Sequence, residues 1–221
     1  MIPPVSNGLF LTFEGLDGSG KTTQLRRLAQ RLEQAGRQVT CAQEPGGTRV
    51  GQQIRRILLE AASADLRPVP ELLLYFASRA QNVEEVIWPA LQAGRIVLAD
   101  RFTDASVAYQ GYGRELGEQT VLALDRIACR GLHPDLTFLI EIDMETSLRR
   151  ALDREAGSGV DESRLERESR EFHERVRQGY QRITEREPHR VLRIDGRRGV
   201  DDVAEEIWSR VQNLLGARPY V

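Results

Sequence analysis

The chain of 221 residues has room for one domain with a substantial core, and its formal net charge of −2 withholds the strongly basic surface that a nucleic-acid phosphate lattice favours. Cys41 and Cys129 stand far apart with no C-x-x-C pair, and His133, His173 and His189 are scattered, so neither a disulfide framework nor a zinc site is suggested. No apolar run approaches the roughly 20 residues that span a bilayer, and MIPPVSNGLF lacks the basic and apolar regions of a secretory leader, so a cytoplasmic protein with neither membrane nor nucleic-acid partners is the expectation.

In chain order, LFLTFE (9–14) reads as a short buried strand. It runs into EGLDGSGKTTQ, where Gly15, Gly20, Lys21 and Thr22 fill every fixed position of the phosphate-binding pattern G-x-x-x-x-G-K-[ST]. Leu25, Leu28, Ala29, Leu32 and Ala35 then recur at helical spacing, with Gly36 as the stop. Strand, glycine loop and helix in that order are the context such a loop needs. Further strands are expected at 38–42, 95–100, 136–142 and 190–194, and helices at 50–60, 71–93, 117–130, 163–187 and 200–215. Near-continuous apolar strands alternating with helices predict an α/β fold: five parallel strands with helices on both faces, and ligands at the carboxyl ends of strands one to three. The chain reads as one phosphate-loop domain over 1–221, with a mobile arginine-bearing lid at about 149–163, where Gly157, Ser158 and Gly159 break two helical patterns.

The chemistry follows from residue type and place. Gly15, Gly18 and Gly20 tolerate the dihedrals that turn successive N–H groups toward phosphate oxygens, and the following helix adds its positive dipole end. Lys21 is expected to reach the outer phosphates and the Thr22 hydroxyl to ligate Mg²⁺. Asp100 and Arg101 close the third strand at the same edge, the aspartate for the Mg²⁺ shell and the arginine as a planar fork for phosphoryl oxygens. EPGGT (44–48) leaves backbone N–H groups free at that edge, while spacing alone does not say which of Arg55, Arg56 and Arg79 points inward. The chain contains no Asn/Thr-Lys-x-Asp string with which a guanine-specific GTPase reads its base. Another nucleoside or nucleotide kinase, and an ATPase that changes macromolecular partners, remain open rivals at this point.

Taken in order, FEGLDGSGKTTQ, EPGGT, LYFASRAQ, DRFTDASVAYQG and HPDLTFLIEI resemble the bacterial thymidylate kinase family across most of the chain. The resemblance implies the nucleoside-monophosphate-kinase fold, transfer of the ATP γ-phosphoryl group to dTMP, Mg²⁺ as cofactor and a homodimer. It assigns ATP to the loop Gly15, Leu16, Asp17, Gly18, Ser19, Gly20, Lys21, Thr22 and Thr23, with Arg164 against adenine. By position it implies thymine stacking for Tyr75, a base carbonyl for Arg79, the pyrimidine edge for Ser106 and Gln110, and exclusion of a 2′-hydroxyl by Tyr109. Asp17 matches an acidic residue near the sugar 3′-hydroxyl and the reacting phosphates. Some members carry an arginine inside the loop; here Asp17, Gly18 and Ser19 stand there, so Arg154 first and Arg150 second are expected to supply that charge from the lid. The family arginine two residues before the proline of EPGGT is replaced by Gln43, which passes the acceptor phosphate to Arg55 and Arg101, or to Arg49.

Overall fold

A computed structural model of the chain describes residues 8–155, 164, 165 and 167–217. Its sheet has five strands, β1 Leu9–Glu14, β2 Val39–Gln43, β3 Ile96–Asp100, β4 Leu136–Glu141 and β5 Val191–Asp195, all parallel in the order β2-β3-β1-β4-β5. The chain leaves β1 toward β2 and β3, then crosses to β4 and β5, so the carboxyl ends of β1 and its neighbours meet where the direction of winding reverses. The expected parallel α/β sheet is the one found, each strand within a residue of its expected place.

Every residue of β1 is buried, and its side chains alternate between two cores. Leu9, Leu11 and Phe13 face Leu25, Leu28 and Leu32 of α1 (Lys21–Gln34) and Val203, Ile207 and Val211 of α9 (Val200–Ala217). Phe10 faces the other layer, with Leu72 and Phe76 of α3 (Pro68–Asn82) and Val176 and Ile183 of α8 (Arg170–Arg186). The even positions Thr12 and Glu14 lie on that second side and bring polar groups into it: Thr12 Oγ1 is 2.7 Å from Thr137 Oγ1, and both are fully buried. The remaining helices are α2 (Arg49–Leu59), α4 (Trp88–Gln92), α5 (Thr103–Ser106), α6 (Glu118–Ala128) and α7 (Met144–Glu155).

Three differences from the expected helices bear on function. The helix expected over 71–93 begins earlier, with Pro68 preset for its first turn, and α3 passes into α4 through a π-helical turn, Val83–Ile87. A second π-helical segment, Val107–Gly113, continues α5 and presents Tyr109 and Gln110; such widened turns recur at functional sites. The helix expected from 163 starts at Arg170, where Ser169 Oγ accepts the Phe172 N–H at 3.2 Å and caps it. Helix α8 crosses the second π-helical segment so closely that a Cβ on Gly179 would come within 2.9 Å of the Ala108 Cα.

Candidate active site

The phosphate loop joins β1 to α1. Gly15 has φ +136°, and a Cβ there would sit 2.3 Å from the Ile140 carbonyl oxygen, so only glycine lets the loop lie against β4. Gly18 and Gly20 are also left-handed, at φ +73° and +96°. Lys21 folds back across the loop, its ammonium donating to the Leu16 carbonyl at 2.8 Å and lying 3.9 Å from Asp17 Oδ1. Burial, then the nearby Arg101 charge, pushes the Lys21 pKa down to about 8 against the pull of Asp17, Asp100 and Glu14. The Thr22 hydroxyl donates to Asp100 Oδ2 at 2.5 Å, so two residues 78 positions apart meet as an oxygen-only pair. A hydroxyl and a carboxylate fit Mg²⁺, a hard cation that takes few protein oxygens and fills the rest of its shell with phosphates and water. Thr23 is exposed beside Thr22, and the Ser19 hydroxyl is buried without a hydrogen-bond partner among the described residues.

Arg101 ties this loop to the second core. Its backbone is left-handed, φ +72°, and its guanidinium donates to Asp17 Oδ1 at 2.9 Å, to the Tyr180 hydroxyl at 3.2 Å and to the Tyr109 hydroxyl at 3.3 Å. Tyr109 in turn donates to Asp17 Oδ2 at 3.3 Å, and the Arg101 fork lies 4.9 Å from its ring centroid. Helix α7 docks on the loop from the far side: Ser147 Oγ donates to the Asp17 carbonyl at 2.5 Å, and Arg150 reaches the Gly18 carbonyl at 3.4 Å.

On the other side of Arg101, buried side chains build a second polar region. Arg79, 1% exposed, donates from Nε to Glu44 Oε2 at 2.5 Å and from Nη2 to the Phe102 carbonyl at 3.0 Å, between the rings of Phe76 and Phe102. Among the described residues its Nη1 is buried with no hydrogen-bond partner, and so is the Ser106 hydroxyl. Gln110 donates to Glu71 Oε1 at 2.9 Å; the fully buried Glu71 also receives Arg114 at 2.9 Å and Arg164 at 2.8 Å. Tyr75 is buried nearby, its hydroxyl pKa driven up by burial and by the Glu71 carboxylate. Arg55 donates to the Pro45 carbonyl at 3.0 Å, which brings it onto the EPGGT loop, whereas Gln43 is exposed at the end of β2, opposite Asp100.

A family model described as thymidylate kinase matches residues 13–207. The chain belongs to the thymidylate kinase family. It is 49% identical over 210 residues to the thymidylate kinase of Pelobacter propionicus, covering 94% of this chain and 96% of that protein. With the thymidylate kinase of Citrifermentans bemidjiense it shares 50% over 212 residues, 94% of each. A crystal structure of thymidylate kinase from Ehrlichia chaffeensis superposes with a TM-score of 0.74 at 33% identity, covering 93% of this chain and 98% of that one. The fold is accordingly that of the phosphate-loop nucleoside monophosphate kinases, a class of phosphotransferases, and the partner-changing ATPase reading falls away.

Within this chain, Asp17, Lys21, Arg101 and Tyr109 are brought together, as are Thr22 and Asp100. Arg164 lies with the Glu71 group. It is 5% exposed, donates from Nε to the Leu58 carbonyl at 2.5 Å and pairs with Glu71. Among the described residues no hydrogen bond or ion pair joins it to the phosphate loop, and the buried Glu71 carboxylate holds its guanidinium. Arg154 lies in α7, but its side chain is outside the described residues, as are lid residues 156–163. Sequence reasoning missed Glu14, Glu44, Glu71 and Tyr180. The signal for the first was a carboxylate ending a fully buried apolar strand, a place where an acid costs several kcal/mol, on the order of a lost hydrogen-bonded charge, unless something holds it.

Proposed function

We propose that the chain works as one kinase domain over 1–221 that transfers the γ-phosphoryl group of ATP to dTMP, giving ADP and dTDP. The observation that carries this reading is the Asp17–Arg101–Tyr109 cluster, which joins the phosphate loop to the segment holding Ser106 and Gln110. One fork thereby serves two nucleotide sites at once. The loop N–H groups and Lys21 hold the donor phosphates; Arg101 and Arg55 take the acceptor phosphate, the neutral Gln43 leaving them that task. The buried, unpartnered Arg79 Nη1 and Ser106 hydroxyl are unmet polar groups of the kind that a base carbonyl and ring edge satisfy, with Tyr75 stacking on the ring and Tyr109 crowding the 2′ position. Thr22 and Asp100 would hold Mg²⁺, which when bound neutralises charge on the phosphoryl oxygens. Arg150, already at the Gly18 carbonyl, and Arg154 bring positive charge from α7. Closure of the lid excludes water, so that the acceptor outcompetes hydrolysis.

The test is ADP release from Mg·ATP with dTMP, dUMP, dCMP, dGMP, AMP or thymidine, and with no acceptor. Turnover should strongly prefer dTMP, and Lys21→Ala should lower it by about 10³-fold, with an unchanged circular-dichroism spectrum. Equal turnover without acceptor overturns the reading.

The same reading includes a homodimer working in the cytoplasm. Ile57, Val69, Leu73 and Ile127 are 48–74% exposed on α2, α3 and α6, with α3 packed against the other two, and exposed apolar side chains of this kind suit a second copy. Among the described residues no helix is long and apolar enough to cross a membrane. Sedimentation velocity should find a dimer that Ile127→Glu converts to monomer; a wild-type monomer at micromolar concentration removes this part.

A further inference from the structure

Glu14, the last residue of β1, is fully buried, yet among the described residues no guanidinium or ammonium forms a hydrogen bond or ion pair with it. Its two oxygens face opposite tasks. Oε1 accepts the Phe102 backbone N–H at 2.8 Å, and Oε2 accepts the Tyr180 hydroxyl at 2.9 Å. That same tyrosine oxygen accepts Arg101 Nη1 at 3.2 Å. One carboxylate therefore grips the backbone just after Arg101 and, through one hydroxyl, the Arg101 side chain.

The turn it grips needs support. A non-glycine residue at φ +72° is held only when its surroundings over-determine it. The Arg101 N–H donates to the Phe13 carbonyl at 3.0 Å, the Asp100 carbonyl accepts from the Glu44 N–H at 3.0 Å, and the Phe102 carbonyl accepts from Arg79. Glu14 supplies the remaining anchor, at the Phe102 N–H. As a device for stability alone it is a poor choice. Burial and the Asp104 carboxylate push its pKa up to about 7, against the Arg101 charge, the Phe102 amide and the Tyr180 hydroxyl.

We propose that Glu14 is a positioning residue for phosphoryl transfer: it fixes the Asp100–Phe102 turn through the Phe102 amide and aims the Arg101 guanidinium through the Tyr180 hydroxyl. The proposal rests on the kinase reading of the site and adds to it that Arg101 depends on a side chain outside both the phosphate loop and the Asp-Arg pair. Glutamine at this position accepts one of the two hydrogen bonds but turns a donor on the other, so the tyrosine hydroxyl loses its acceptor and its hold on Arg101 loosens.

The test measures kcat and KM for both substrates in Glu14→Gln, Tyr180→Phe and Arg101→Lys, and in each of the first two combined with the third. The expected result is a fall in kcat of about tenfold or more for Glu14→Gln and about threefold or more for Tyr180→Phe, with KM for ATP within about twofold of wild type. In the Arg101→Lys background both effects should shrink below about twofold, because the group they position is gone. A merely structural Glu14 would lower the melting temperature and leave kcat of the folded protein unchanged, or would give the same fold-loss in both backgrounds; either outcome overturns the proposal. Should Glu14→Gln fail to fold, Tyr180→Phe, which keeps the packing ring, carries the test by itself, and wild-type kcat in that variant overturns it. Wild-type inactivity toward dTMP would defeat the kinase reading instead, and is seen before any variant is made.

Discussion

In the phosphate loop the main chain does the holding, while in the acceptor region the side chains do. From Gly15 to Gly20 the geometry is set by three left-handed glycines, and the one long side chain, Lys21, is tethered to a backbone carbonyl. Across Arg101 the layout is reversed: Glu44 with Arg79, and Glu71 with Arg114 and Arg164, are buried charge pairs between elements distant in sequence. On the proposed function the reason is the ligand each side faces. Phosphate oxygens are met by many weak, convergent N–H dipoles, which any backbone supplies if its dihedrals allow. A base edge needs a few donors and acceptors at fixed angles, and a buried arginine keeps its angle only if its other edges are pinned.

The difference is open to attack from both ends, and the larger effect belongs to the loop. Gly15→Ala meets an unfavourable dihedral and places a methyl 2.3 Å from a carbonyl of β4, a backbone atom that cannot step aside. A stability loss on the order of 5 kcal/mol is expected, read by urea unfolding, together with loss of ATP binding by calorimetry. A loss under about 1 kcal/mol would mean the loop is held by side chains after all. Arg79→Met should come next, at about 3–4 kcal/mol, because it strands Glu44 in the core with, among the described side chains, only Asn82 Nδ2 at 3.4 Å beside it. Adding Glu44→Gln should restore part of that stability and none of the dTMP affinity. If affinity returns with stability, Arg79 props the pocket and does not read the base.

The same contrast explains which parts were legible in the sequence. Gly15-x-x-x-x-Gly20-Lys21-Thr22 is local, and glycines declare backbone geometry directly, so the loop and its Asp100 partner at the end of β3 could be read from one chain. The sheet was legible for a related reason: a strand such as IVLAD, buried on both faces, is apolar up to its closing Asp100. Glu71 and Glu44 could not be found that way, because an acid on a helix or before a proline reads as solvated until its partners, 35 to 93 positions away, are known. The pairing of Arg164 with Glu71 was hidden for the same cause. The π-helical segment Val107–Gly113 was invisible because a single widened turn leaves almost no mark on apolar spacing, although it presents Tyr109 and Gln110. Ser106 and Tyr109 were picked out only through family resemblance, since a buried tyrosine or serine otherwise reads as ordinary core.

Glu14 stands at the seam of the two regions, opening the phosphate loop while facing the acceptor layer, and it gives the smallest of these effects. Its carboxyl keeps its proton to about pH 7 in the folded chain, against an ordinary value near 4.5, because burial and Asp104 outweigh Arg101, the Phe102 amide and Tyr180. Between those two values the folded state binds more protons than the unfolded state. Stability therefore falls as pH rises through that window, by at most about 1.4 kcal/mol per pH unit. Other acids titrate in the same range, so the quantity to measure is the difference between wild type and Glu14→Gln in urea unfolding from pH 4.5 to 8. Wild type should lose ground to the variant up to about pH 7 and run parallel to it above. A difference that stays flat across the window would mean that Glu14 is already ionised at acid pH. Arg101 would then be its effective counter-charge, and the seam would be a buried ion pair in all but contact, built like the acceptor region and unlike the loop it opens.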